Sequence, residues 1–406
     1  MKLKFLPILF MSILALTACS DDDDDRVVRP VETAKHFTGN DLDLKFSGEK
    51  VIGKDVLFTP DAEKAESATL TFLGERFDVE SAMQRAAEAK GYLTSSVFAG
   101  EPEVSLPITM TLQGDMGTFE GNGESKYYTY SYKGSVIENQ LAVEFTNVLL
   151  KNNKLGGTAW ALEPIVTNDW GMVESTPLTF QWDSEKKVAV EMFGSTTEYT
   201  MTQLLAVVMS MPVIPVDDKT KVTIPQILTS LLQEVKFEND GNLIATYIDM
   251  DSKAMKTSAK GIAQYVIAND KTIKLILNPF AIAADASKNP NQKPESEMSN
   301  IMKALTPTIL AALNADVRLS EGIDINYTLD GDKLQATVDE TLLLPVLKLF
   351  APMLQNPDLI NTIVEKVKQN PEMAAMAPML ESLLKQFPEV INTTSKIELG
   401  LKFNKK

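Results

Sequence analysis

Cys19 is the only cysteine and His36 the only histidine among 406 residues, so most nucleophilic and metal chemistry is short of parts. The thiol follows a basic pair, Lys2 and Lys4, an apolar stretch from Phe5 to Leu16, and then Leu16-Thr17-Ala18. That order is an export leader ending in the branched, small, small, cysteine box at which a lipoprotein signal peptidase cuts. The apolar stretch is too short to remain as a membrane span. Residues 1–18 are therefore expected to be removed, leaving Cys19 as a lipid-carrying first residue. The plainer alternative is an ordinary secretory leader with a chance cysteine. A lone cysteine in an exported chain cannot form an internal disulfide, which favours thioether lipidation. Each buried lipid methylene contributes about 0.8 kcal/mol, so two or more acyl chains hold a protein firmly at a membrane.

Other reactive groups lead to exclusions. His36 lies before the first strong strand pattern. A Ser-His-Asp triad or a histidine zinc site would have to recruit it from there, so a surface role is expected. No His-Glu-x-x-His, Gly-x-Ser-x-Gly, Walker or dinucleotide fingerprint occurs. Glycoside hydrolysis needs only two carboxylates, which 55 acids cannot exclude but do not single out. Asp249-Met250-Asp251-Ser252 begins like a calcium loop but lacks the glycine and closing glutamate, so a solvated turn is expected. The expectation is a non-enzyme with no metal and no cofactor.

Three groups of side chains could bind something. Tyr128, Tyr130 and Tyr132 alternate along one strand pattern and would share a face, either as a stacking platform for sugars or as cross-strand packing. Trp160, Trp170 and Trp182 surround the expected domain junction, where they would brace an interface or line a cleft. Met376 and Met379, with Met201, Met209, Met211, Met298, Met302, Met353 and Met373, lie on or beside apolar helices. Thioethers suit an adaptable apolar pocket and equally an ordinary core.

Acids outnumber bases 55 to 39, for a net charge of −16, and loss of the leader removes two more lysines, so nucleic acid is not an expected partner. Ser20 and the run Asp21, Asp22, Asp23, Asp24 and Asp25 cannot pack and read as a solvated spacer. The same stretch resembles the surface-export signal of Bacteroidota lipoproteins. That resemblance implies display on the outer face of the outer membrane, with a periplasm-facing protein as the alternative.

The elements that must carry these groups are mainly β. Residues 19–36 read as an acidic tether, 37–165 as an antiparallel β-sandwich or barrel, and 166–406 as a β domain with inserted helices. Leu42, Leu44 and Phe46 alternate with polar residues, and further strands are expected at Ala68 to Leu73, Leu106 to Leu112, Tyr127 to Tyr132 and Val136 to Leu150. Gly121-Asn122-Gly123 and Lys133-Gly134 read as turns between them, and Asp78 to Gly91 as a short helix. In the second half, turns are expected at Asp240-Gly241-Asn242 and Asp330-Gly331-Asp332, and a final strand around Ile397, Leu399, Leu401 and Phe403. Helices are expected at Thr202 to Met211, Ile224 to Gln233, Met298 to Asn314 and Leu342 to Leu354, and after the N-caps Asn356 and Asn370, with a kink or break at Pro378.

Phe58-Thr59-Pro60-Asp61-Ala62, Phe237-Glu238-Asn239-Asp240-Gly241-Asn242 and Gly261-Ile262-Ala263-Gln264-Tyr265-Val266 resemble stretches of a Bacteroidota lipoprotein family, the domain-of-unknown-function family numbered 4925. The resemblance implies lipocalin-like β domains, a possible internal cavity and no catalytic residues. Gly157-Thr158-Ala159-Trp160 is faintly similar to the glycine and tryptophan pattern of lipocalin-type barrels, with an extra residue between them. The expected partners are a membrane, through the lipid on Cys19, and an apolar or amphiphilic ligand held between sheet and helices. The alternatives are a glycan bound by exposed aromatics, or a structural or adhesive surface role.

Overall fold

The computed structural model describes residues 29–78, 92–169, 173–192, 195–212, 214–215, 221–249, 252–286, 312–369, 374 and 377–406. Cys19, the acidic run, Trp170, Met376 and most of the helices expected at Asp78 to Gly91 and Met298 to Asn314 lie outside them. The chain is mainly β, 48% strand against 25% helix.

The alternation of Leu42, Leu44 and Phe46 with Asp43 and Lys45 produces a strand with one face buried and one face wet. It belongs to a six-stranded sheet ordered Glu49–Lys50, Leu42–Phe46, Gln140–Leu150, Tyr128–Ile137, Met116–Glu124 and Thr111–Gln113. A four-stranded sheet, Lys35–Phe37, Lys54–Pro60, Ser67–Gly74 and Glu103–Thr109, packs against it. Phe72 of one sheet meets Phe145 of the other edge-on at 5.3 Å between ring centroids. The first half is thus a β-sandwich, antiparallel as expected except that Leu42–Phe46 runs parallel to Gln140–Leu150. Residues expected to belong to the tether are part of the fold, since Val31 is buried in the core and Lys35–Phe37 pairs with Lys54–Pro60.

The largest sheet is antiparallel throughout. Its order is Met255–Thr257, Leu243–Ile248, Leu232–Phe237, Thr158–Leu162, Thr394–Lys405, Lys333–Val338, Ile323–Asp330, Thr272–Leu277 and Ala263–Asn269, with Leu178–Ser184 paired to the remaining flank of Thr394–Lys405. Thr158–Leu162, placed with the first half by its sequence position, hydrogen-bonds within this sheet. The sheet curls until its two ends touch. Asn242 bridges Gln264, and the Tyr265 N–H donates to the Gly241 carbonyl at 2.8 Å. Among the described residues that contact is too short to make a closed barrel. Gly241 at φ +83° and Gly331 at φ +56° hold the two expected turns. One hydrophobic cluster runs from Val31 through Phe98 and Tyr128 to Trp160, Tyr265 and Phe403, so sandwich and large sheet share a core.

Among the described residues the second half forms seven α-helices: α1 Met201–Ser210, α2 Ile224–Leu231, α3 Pro279–Ala286, α4 Ala315–Glu321, α5 Glu340–Met353, α6 Pro357–Lys368 and α7 Ala377–Asn392. Thr200 and Thr223 open α1 and α2 with reciprocal capping boxes to Gln203 and Gln226. Asn356 caps α6 as expected. Pro378 lies in the first turn of α7, which begins at Ala377, where its missing N–H needs no intrahelical partner; Asn370 and the residues around the expected kink or break lie outside the described residues.

The expected turns at Gly121-Asn122-Gly123 and Lys133-Gly134 are instead mid-strand. Gly123 lies opposite Tyr130, Gly121 opposite Tyr132 and Gly134 opposite Phe119. Each ring lies over the neighbouring glycine, whose absent side chain leaves it room. A Cβ on Gly123 would come within 2.7 Å of the Tyr130 ring, and one on Gly121 within 2.6 Å of the Tyr132 hydroxyl. Tyr130 is 3% exposed and stacked on Phe98 at 4.5 Å, so it cannot swing away, whereas Tyr132 is only half-buried. Gly123→Ala should therefore cost about 1–3 kcal/mol in denaturant unfolding, and Gly121→Ala clearly less. Equal costs would contradict this packing.

Candidate functional site

The inner face of the large sheet carries the apolar side chains, and its covering changes along its length. At the end where the sheet touches itself, Trp160, Phe237, Tyr265, Tyr327, Leu334 and Phe403 fill the interior. At the opposite end, α1, α5 and α7 roof it, with Trp182, Val188, Val190, Met201, Leu204, Val390, Ile391 and Ile397 forming a second core. Between the two runs a cross-strand row, Phe180 beside Leu399 beside Val338. Leu399 is 39% exposed although it lies mid-strand with a neighbour on each side. Fully burying a side chain of this kind contributes about 1.5–3 kcal/mol, so the row retains affinity for an apolar cover.

A cleft of about 320 Å³ opens at the Phe180 end of this row, at the small end of the range for small-molecule sites. Leu178 and Phe180 come from the sheet, Ala206 and Met209 from α1, Thr223 and Pro225 from the start of α2, and Ile165 and Val173 from the segment joining two strands. α1 is seated there because the Thr202 hydroxyl donates to the Trp182 carbonyl at 3.0 Å and accepts from the Trp182 N–H at 2.8 Å. Ser175, Thr176 and Ser210 supply hydroxyls, and Glu174 and Lys402 are the charged residues of the lining. The chemistry available is apolar burial with a polar rim.

A groove of about 610 Å³ lies over the six-stranded sheet, with Ala142, Ser135, Thr118 and Thr111 among its lining. Lys45, Glu144, Lys133 and Glu120 stand opposite one another across four strands. These charges largely satisfy each other, Lys133 to Glu144 at 3.0 Å and Lys45 to Asp43 at 3.8 Å, and Phe119 is buried rather than offered as a stacking surface. The smaller, more apolar cleft is the better candidate.

The residues singled out in the sequence divide. Tyr128 is 0% and Tyr130 3% exposed, packed on Phe46, Phe98 and Phe145, so these two rings are core and not a sugar platform, while Tyr132 is half-buried. The Tyr128 hydroxyl has no hydrogen-bond partner among the described residues, and burial pushes its pKa well above the usual value. Trp160 and Trp182 are both buried in separate clusters, their indole N–H groups donating to Thr158 at 2.9 Å and Thr394 at 2.8 Å, so neither ring faces solvent. Met379 packs against the helix-roofed core, and Met209 lines the cleft. His36 is exposed and its Nδ1 meets Asp55 at 2.9 Å. Asp249 accepts from Lys256 and from Ser252, each at 2.7 Å, which holds its carboxyl well below the usual range, while Met250 and Asp251 lie outside the described residues. Among the described residues no cluster of three His, Cys, Asp or Glu could hold a metal ion, and no helix is long and apolar enough to cross a membrane. No family model, no curated protein and no solved structure matches the chain.

One perturbed group escaped sequence reasoning. Lys54 is buried and donates to the Ser95 carbonyl at 2.7 Å. Burial pushes its pKa down to about 8 from the ordinary 10.5, against the opposing pull of Glu75. Its signal was present, since Lys54, Val56 and Phe58 alternate inward along one strand. Among the described residues Lys54 lines neither cleft above, and its burial bears on stability. The unfolded chain holds the proton up to the ordinary value while the folded chain releases it near 8, so stability should rise between about pH 8 and pH 10.5, by about 3 kcal/mol at most. Unfolding titrations should show that rise and its loss in Lys54→Met. A wild-type profile that is flat or falling there would contradict the burial of this amine.

Proposed function

We propose that the protein is a non-enzymatic, lipid-anchored surface lipoprotein that holds an apolar or amphiphilic ligand in the cleft between the large sheet, α1 and α2. The observation that carries this reading is the half-buried apolar row that meets the cleft at Phe180, with Leu399 39% exposed in it. An apolar ligand would cover this part of the sheet face. The leader, Cys19 and the acidic run after it support attachment at the outer membrane with the body facing outward. The resemblance to the lipocalin-like lipoprotein family agrees with this reading. Burial of Tyr128 and Tyr130 counts against the glycan alternative.

Native mass spectrometry of protein purified without delipidation should show a bound apolar species, lost in Ala206→Trp, which fills the cleft from α1 while sitting at an exposed position. Wild-type protein of bare polypeptide mass, with Ala206→Trp indistinguishable from it, would refute the ligand-binding reading. Separately, Cys19→Ala should keep its leader and lose the acyl mass. Wild-type protein with a free thiol in the soluble fraction would refute the anchor.

A further inference from the structure

We propose that the ligand carries an acylated α-amino acid unit, CO-NH-CHR-CO, which adds like a one-residue strand to the free edge of Leu178–Ser184 at Phe180. This rests on the ligand-binding reading of the cleft and deepens it by naming the group the cleft recognises.

Leu178–Ser184 pairs with Thr394–Lys405 on one side, and among the described residues no strand pairs with its other side. The Lys402 N–H donates to the Pro177 carbonyl, which fixes the phase of the ladder. Hydrogen-bonded and non-hydrogen-bonded pairs alternate between antiparallel strands, so Thr179, Gln181 and Asp183 direct their N–H and C=O toward Thr394–Lys405. Leu178, Phe180 and Trp182 direct theirs to the free edge. Side-chain hydroxyls meet this edge at both ends. The Thr202 hydroxyl serves both groups of Trp182, donating to its carbonyl at 3.0 Å and accepting from its N–H at 2.8 Å. The Leu178 N–H donates to the Thr176 hydroxyl at 3.3 Å. Phe180, between them, has a partner for neither its N–H nor its C=O among the described residues.

The difference lies in α1. Thr202, Ala206 and Met209 follow one another at spacings of four and three and so share one face of the helix. Thr202 seats that face on the edge at Trp182, and the helix carries Ala206 and Met209 about 10 Å further on, where they line the cleft with Phe180 and Leu178. Beside Phe180 the helix thus offers a methyl and a thioether in place of a hydroxyl. A water on that side would find few polar partners. The N–H and C=O of one residue on a free edge are complementary to the C=O and N–H of one extended α-amino acid unit, the contact by which peptides add to sheets. The acyl chain and R group of such a ligand are left for the apolar walls. A hydrocarbon or an ester has no donor for the Phe180 carbonyl. A lipid-linked amino acid and a short peptide share the required chemistry.

The test is calorimetric titration of the full mature chain, stripped of co-purified lipid, with four neutral probes below micelle-forming concentrations. They are N-decanoyl-leucine methylamide, its ester analogue with oxygen in place of the acylated N–H, acetyl-leucyl-alanyl-leucine methylamide, and decanol. The decanoyl amide should bind about tenfold more tightly than the ester or decanol. The tighter of the decanoyl amide and the peptide identifies the source as lipid or peptide. Proline at position 180 removes an N–H that the ladder does not use. Phe180→Pro should therefore fold, and bind the decanoyl amide about tenfold more weakly than Phe180→Leu, with decanol equal in both. Equal affinity of the wild type for amide and ester, or equal affinity of the two variants for the amide, would overturn the assignment of Phe180 while leaving the cleft reading intact. The ester comparison uses the wild type alone, so it decides even where Phe180→Pro does not fold. If Ala206→Trp binds all four probes like the wild type, the cleft reading fails, and this proposal with it.

Discussion

The structure depends on how the apolar face of one long, curled sheet is removed from water. An antiparallel sheet of this size has an inner face that must meet something, and closing into a barrel is the simplest solution. Here, among the described residues, the two ends meet over a short stretch, Asn242 against Gln264 and Gly241 against Tyr265, so curling protects one end of the interior and leaves the other to α1, α5 and α7. The interior at the meeting point is filled by large rings, Trp160, Phe237, Tyr265 and Phe403, and continues into the sandwich. The helices press on Trp182 and Ile397 one row beyond Phe180 and Leu399. The cleft is the space left between two coverings that do not quite meet.

The sandwich supplies rigidity rather than a site. Its inner layer is built from rings laid over glycines and stacked on Phe98, and the segment from Thr94 to Glu101 is buried throughout. That segment ties the halves together. Ser95 receives the Lys54 amine at its carbonyl, and its hydroxyl donates to the Ser320 carbonyl at the end of α4, which packs on the large sheet. The Glu101 carboxylate accepts from Ser125 at 2.6 Å and from the N–H groups of Lys126 and Tyr127 at 3.1 Å, fixing the start of the tyrosine strand. A buried amine and a buried carboxylate are tolerable only because each has such partners.

Much of this was legible from local pattern. Period-two alternation located Leu42–Phe46 and Thr394–Lys405, and the Asn356 cap located the start of α6, because each is decided by neighbours in sequence. Glycine was misread where it serves space rather than φ: Gly121, Gly123 and Gly134 resemble turn residues until the rings opposite them are known. The tyrosine row was legible as a shared face, but whether that face is wet depends on Phe98, distant in sequence. Lys54 was missed because a charge at an inward position is expected to face out. The cleft was not legible, since its walls come from residues 165 to 402 and its existence from a mismatch between coverings that no local window contains.

The central claim is that the row of Phe180, Leu399 and Val338 is covered in the working protein by a molecule other than the chain itself. The most direct measurement is a high-resolution crystal structure of the protein purified from its membrane under conditions that keep bound lipid. The account predicts continuous non-protein density running along Phe180 and Met209 and over Leu399. Leu399 buried by the protein's own side chains, with α1 packed down on the row and no space beside it, would contradict the account.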